Sequence, residues 1–225
     1  MGTILGDILT LGIGVAISPV PIIAVILMLF GKRARSTGPA FLLGWILALS
    51  LEGAVVLLLS NAGRISAGGT PSTISYLLKF LLGVLLLFLS LRQWRGRPQE
   101  GEEAELPKWM AAIDSFTAGR AFGLSALLAG VNPKNLALTL ATAMTIAQAD
   151  LDGAQPWVAL LVFVVIGSIS VAAPVLYYLF AGSSAERTLA GWKAWLTANN
   201  AAVMFVLFLI LGVKLMGQGL GGLFG

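Results

Sequence analysis

The chain contains no cysteine and no histidine, and few of its residues are charged. Without cysteine there can be no disulfide, no thiolate metal site and no dithiol relay. Without histidine the commonest proton carrier and metal ligand is missing, and no nucleophile–histidine pair can be assembled. Charged residues make up 11% of the 225 residues and apolar ones 58%, against roughly 25% and about 45–50% in soluble domains. A soluble chain of this length could not cover so much apolar surface. There is no Gly-Lys-Ser/Thr phosphate loop, so the chain has no ATPase motor of its own. Nothing in it forms a catalytic constellation, and neither a metal nor a cofactor is expected. The acids Glu102 and Glu103 lie in a polar connector and read as solvated charge.

What is present is long apolar runs. About six stretches reach the roughly 20 residues that span hydrocarbon, near 4–30, 38–60, 74–93, 118–147, 156–181 and 200–220. The first lacks the basic leader of a signal peptide and is too long for one, so a mature spanning helix is expected there. Of the 14 lysines and arginines, Lys79, Lys134 and Lys214 fall inside spans. Ten others, Lys32, Arg33, Arg35, Arg92, Arg95, Arg97, Lys108, Arg120, Arg187 and Lys193, follow the odd-numbered spans, leaving Arg64 alone on the other side. Cytoplasmic loops collect such charge, so both termini are expected outside the cytoplasm. The net charge of +4 therefore points to anionic headgroups and not to nucleic acid.

The expected fold is all-α, a polytopic membrane protein of six helices in two inverted three-helix repeats. Residues 1–95 would form the first repeat, 96–116 a cytoplasmic connector, and 117–225 the second. The halves echo each other. Span one carries Ser18-Pro19-Val20-Pro21 and span four Asn132-Pro133-Lys134-Asn135. Gly44 and Gly167 fall mid-way in spans two and five, and Leu82-Gly83-Val84 in span three matches Leu211-Gly212-Val213 in span six. In the connector region, Trp109, Ile113 and Phe116 suit an interfacial helix, and Trp192, Lys193 and Trp195 a second one before span six.

Proline removes a backbone donor and clashes with the preceding helical turn. Backbone freed this way survives in hydrocarbon only against protein, water or ligand, and paired breaks in the two halves mark a transporter's binding site. Candidate substrate-binding residues are therefore Ser18, Pro19, Pro21, Asn132, Pro133, Lys134 and Asn135. A half-helix starting at Pro133, with Lys134 and two asparagines, suits a carboxylate or phosphate. The same residues also suit a plain kink, with asparagines capping freed backbone and lysine snorkelling to the interface. Glu52 is the one acid deep in a span, and burial makes a partner necessary. It reads either as an ion pair with Lys79 or Lys214, or as a carboxylate coupled to proton or substrate movement. Small uncharged residues in the fifth span suit a homodimer seam.

Residues Gly14 to Val25, the Lys32-Arg33-Ala34-Arg35 loop with Phe41-Leu42-Leu43-Gly44-Trp45, and Pro107-Lys108-Trp109-Met110 leading to Val131-Asn132-Pro133-Lys134-Asn135 resemble the GAP family. These are the glycolipid-addressing, or sulfolipid-1-addressing-like, membrane proteins within the LysE exporter superfamily. The resemblance runs through nearly the whole chain. It implies a six-helix protein of the bacterial inner membrane, linked to moving lipids or glycolipids toward the envelope. The superfamily's thiol-transferring branch needs cysteines in the first and fourth helices. Their absence here excludes electron transfer. The reading is of a transporter that exports or flips an amphiphile with an anionic head. Its rivals are an exporter of a small polar solute such as an amino acid, and a non-transporting scaffold for envelope lipid assembly.

Overall fold

A computed structural model describes residues 2–61, 73–97, 108–149 and 151–224. The described residues form α-helices joined by short turns, with no strand among them. In order these are α1 (Gly2–Ala16), α2 (Pro19–Phe30), α3 (Ala34–Asn61), α4 (Thr73–Arg95), α5 (Ala118–Gly130), α6 (Pro133–Ala147), α7 (Gln155–Ala181) and α8 (Ala185–Phe224), with 3-10 segments at Lys108–Ser115 and Gly182–Ser184. Three helices are long and apolar enough to cross a bilayer: Ala34–Leu59, Gln155–Ala181 and Ala185–Phe224. Counting the pair α1–α2, bent by 53° at its break, as one span gives four. Among the described residues that test thus counts three or four spans, and the expected third stretch is the 23-residue α4. The fourth expected stretch is split at Val131-Asn132 into α5 and α6, arms of 13 and 15 residues. At ~1.5 Å per residue neither arm crosses ~30 Å of hydrocarbon alone.

The helices turn apolar faces outward. On α3, Leu43, Leu47, Leu51, Val55 and Leu58 are all exposed, and on α7 so are Val158, Leu161, Val165, Ile169 and Leu176. Each set recurs at steps of three, four or seven residues and so lies along one side of its helix. In water such stripes would be far larger than an ordinary monomer tolerates. Against acyl chains they cost nothing. The chain is a multi-pass membrane protein.

Two compact units divide the chain, and they cut across its sequential halves. One comprises residues 1–65 and 106–196, the other 66–105 and 197–225. In the first, α3 packs on α5, α6 and α7, while α1 packs on α7 and α6. Its interior is filled by Trp45, Phe41, Leu49 and Phe163, all fully buried. Trp45 donates its Nε1–H to the Gly167 carbonyl at 3.2 Å, tying α3 to α7 at mid-helix. Gly44 lies so close to the Phe122 carbonyl and the Ser125 hydroxyl that a methyl there would overlap both. Glycine is what brings α3 and α5 to backbone contact. The 3-10 segment Lys108–Ser115 packs on α2, burying Met110 and Ile113. A short helical piece was expected here; the residues preceding it, 98–107, lie outside the described ones.

In the second unit α4 meets the latter part of α8 through glycines. A methyl on Gly83 would lie 2.9 Å from the Gly212 carbonyl oxygen, and one on Gly212 would lie 3.1 Å from that of Gly83. Ser90 donates to the Phe205 carbonyl at 2.9 Å, and the Trp94 and Phe205 rings sit 4.8 Å apart. The separate interfacial helix expected around Trp192 and Trp195 is corrected: α8 runs unbroken from Ala185 to Phe224. No proline interrupts that segment, and Asn199-Asn200 is too weak a breaker to end a helix flanked by good formers. Both tryptophans are exposed, and Trp192 stacks on Tyr177.

Candidate functional site

The first break is Ile17-Ser18, where α1 ends and α2 begins with Pro19 in its first position. Prolines 19 and 21 remove two of the backbone N–H groups that a helix start would leave unpaired. The end of α1 has the opposite problem, a set of carbonyls without helical donors, and every one of them is answered. Ile13 accepts from the Ile17 amide at 2.9 Å. Val15 accepts from the Ser18 hydroxyl at 2.8 Å, and Ala16 accepts from the Ser18 amide at 2.8 Å and the Ser170 hydroxyl at 2.6 Å. Gly14 and Ile17 each accept from the Lys134 Nζ at 2.8 Å.

The second break, Val131-Asn132, lies against the first. Asn132 caps α6, its Oδ1 accepting from the Lys134 amide at 3.0 Å. Asn135, fully buried, reaches back across the break and donates from Nδ2 to the Leu128 carbonyl at 3.0 Å. Its Oδ1 lies 3.2 Å from the Ser18 hydroxyl, which in turn accepts from Lys134 at 2.6 Å. Ser18, Lys134 and Asn135 thus join one broken helix to the other by side chains alone. Lys134 is only 7% exposed. It does not snorkel, and its three donors are directed at three acceptors of the α1 end. A cation belongs at a helix C-terminus, where the carbonyl dipoles converge. Lys134 thereby bridges the two breaks.

Glu52 of α3 lies at the end of α5, its Oε1 packed against Gly130, with Thr139 of α6 beside the carboxyl group. Glu52 Oε2 and Thr139 Oγ1 are buried without a hydrogen-bond partner. Lys79 and Lys214, its expected ion-pair partners, belong to the other compact unit. Among the described residues no group of three or more acids could hold a metal ion.

Ser170 was missed as a site residue. The signal was Gly167-Ser168-Ile169-Ser170, a pair of hydroxyls in the midst of the most apolar span. Thr139 was missed for a simpler reason, since threonines recur through α6 and nothing in the sequence marks this one.

A family model described as Sap, sulfolipid-1-addressing protein, matches residues 8–221. No curated protein and no solved structure matches the chain. The match covers both breaks, all of α3 to α7 and most of α1 and α8. With its multi-pass apolar helices it makes this a membrane protein concerned with lipid handling. The chain belongs to the sulfolipid-1-addressing protein family.

Proposed function

We propose that the chain exports or flips an amphiphilic lipid or glycolipid with an anionic head, by alternating access, and is not an enzyme. The observation that carries this reading is the buried bond network joining the two broken helices, one from each half of the chain. Broken helices meeting inside a membrane unit are how transporters place exchangeable polar groups at mid-depth. Each contact in the seam has a replaceable partner: an anionic head could take the Lys134 donors while water or the substrate's hydroxyls took the carbonyls of Gly14 and Ile17. The lipid-handling family favours an amphiphile over a polar solute.

Two inverted repeats of three spans, within the LysE exporter superfamily, fit the same picture. The compact units support it, since spans one, two, four and five fall in one and spans three and six in the other. Each unit thus draws equivalent spans from both halves. Gly83 and Gly212, the matched residues of spans three and six, rest on each other's carbonyls, as residues beside a twofold axis would. The distribution of lysine and arginine favours a bacterial plasma membrane location with extracytoplasmic termini.

The test is reconstitution in liposomes carrying a headgroup-labelled anionic lipid, with a membrane-impermeant quencher reporting leaflet exchange. Wild-type protein should speed exchange at least tenfold over protein-free vesicles, and Asn135→Leu should remove most of that gain. Uptake of a labelled amino acid without lipid exchange would establish the polar-solute reading instead. Neither activity, with envelope assembly lost on deletion of residues 98–107, would establish a scaffold.

Glu52 is the candidate for coupling. The elements packed on α3 are α2, α5, α6 and α7. Their charged or titratable residues are Arg120 on α5, Lys134 on α6, and Tyr177 and Tyr178 on α7. Lys134 is engaged at the α1 end, and Arg120 is exposed in the first turn of α5. With an imposed pH gradient, Glu52→Gln should transport at the no-gradient rate, whereas wild type is stimulated. An unchanged response would remove Glu52 from the coupling role.

A further inference from the structure

The three cations that follow α2 do more than fix topology. Lys32, Arg33, Arg35 and Ser36, with Ala34 and Tyr178 of α7, line a cleft of about 480 Å³. That volume is in the range of small-molecule sites, ~300–1,000 Å³. No acid is among its described lining residues. We propose that this cleft binds a phosphate- or sulfate-type ester, carried as the head of a membrane lipid.

Four features converge on that ligand. Lys32, Arg33 and Arg35 are exposed, and two guanidinium groups offer planar pairs of donors matched to tetrahedral oxyanions. The turn that carries them is held in place: the Arg33 carbonyl accepts from the Ser36 amide at 2.9 Å and the Thr37 amide at 3.0 Å, and from both their hydroxyls at 3.0 and 3.1 Å. The 28-residue α3 starts at Ala34, so its positive dipole end adds to the same field. Finally, large apolar side chains stand exposed next to the cleft in sequence, Phe30 at the end of α2, and Leu179 and Phe180 (89% exposed) after Tyr178.

That last feature decides the source of the anion. A soluble phosphate would need only the cations, whereas a cationic cleft whose lining residues have exposed aromatic and aliphatic neighbours in sequence, at the ends of apolar helices, matches a head with its chains attached. Basic pockets at this depth are where anionic headgroups are held. The bland alternative is that the three charges act only through the general attraction of basic loops for anionic membranes. The cleft shares no residue with the break seam, and its ligand does not depend on whether the cargo is transported.

The experiment uses the full chain in phosphatidylcholine nanodiscs, titrated with phosphatidylglycerol, with bound lipid counted by native mass spectrometry. Lys32→Gln/Arg33→Gln/Arg35→Gln should weaken phosphatidylglycerol binding at least tenfold. Arg92→Gln/Arg95→Gln/Arg97→Gln, which removes equal charge around the end of α4, should change it less than twofold. Because neutralising loop charge can alter insertion, Tyr178→Ala is the second variant; it keeps every charge and should weaken binding several-fold. Sulfate and inorganic phosphate, titrated alone, separate the sources: binding to the cleft at low millimolar concentration with full displacement of the lipid would assign it to a soluble anion and overturn the lipid assignment. Equal losses in the two triple variants, or phosphatidylglycerol binding no tighter than phosphatidylcholine, would overturn the site altogether.

Discussion

Lys134→Met should destabilise the membrane unit by about 2–4 kcal/mol and abolish lipid movement together. The side chain is nearly isosteric and apolar, so packing is kept while the Gly14 and Ile17 carbonyls lose their donor. A buried unsatisfied polar group costs about 1–3 kcal/mol, and two are left here. Relief of the ammonium's own burial offsets part of that, which sets the lower end of the range. Ser18→Ala should cost about 1 kcal/mol, since one hydroxyl is lost and its neighbours retain other contacts. The double variant should fall short of additivity, because Ser18 and Lys134 touch at 2.6 Å and share one network. Denaturant unfolding in detergent micelles reads all three. If Lys134→Met unfolds with the wild type, the break is not held by this residue, and the functional argument from the seam fails with it.

The second large effect is expected at Gly83. Gly83→Leu should destabilise the α4–α8 contact by about 3 kcal/mol, the upper end for overpacking. A first methyl there would already come within 2.5 Å of the Met216 amide nitrogen, so backbone must move before any side chain fits. Gly212→Ala should be milder, because its added methyl meets the flexible end of Leu87 at 2.9 Å before the Gly83 carbonyl at 3.1 Å. Thermal unfolding of the two variants checks the order. Equal, small losses would show that the helices part easily and that the reciprocal glycine contact holds nothing.

How much of this was legible beforehand differs from residue to residue. Pro19, Pro21 and Pro133 marked both breaks, because a missing N–H is a local property that the sequence states outright. What Lys134 does was not legible, since its acceptors at Gly14, Ile17 and Ser18 lie in the other half of the chain. The sequence offered a cation beside a helix start; the fold turned it to a different helix's end. Glu52 was visible as a buried acid, yet Thr139 and Gly130 became its neighbours only through the packing of α3 on α5 and α6. Lys32, Arg33 and Arg35 stood out in the sequence only as loop charge, and their shared cleft appears only when Tyr178 closes one side of it. Apolarity alone marked the six stretches, and it says that a segment prefers hydrocarbon, not that it crosses in one piece.

The mutual rest of Gly83 and Gly212 has a consequence for ancestry. In the inverted-repeat arrangement proposed above, that contact would lie on the line relating one half to the other, and two separate three-helix polypeptides inserted in opposite senses would share it without any fusion. Under that proposal the progenitor is a half-length gene whose product entered the membrane both ways up and paired with its own upturned twin.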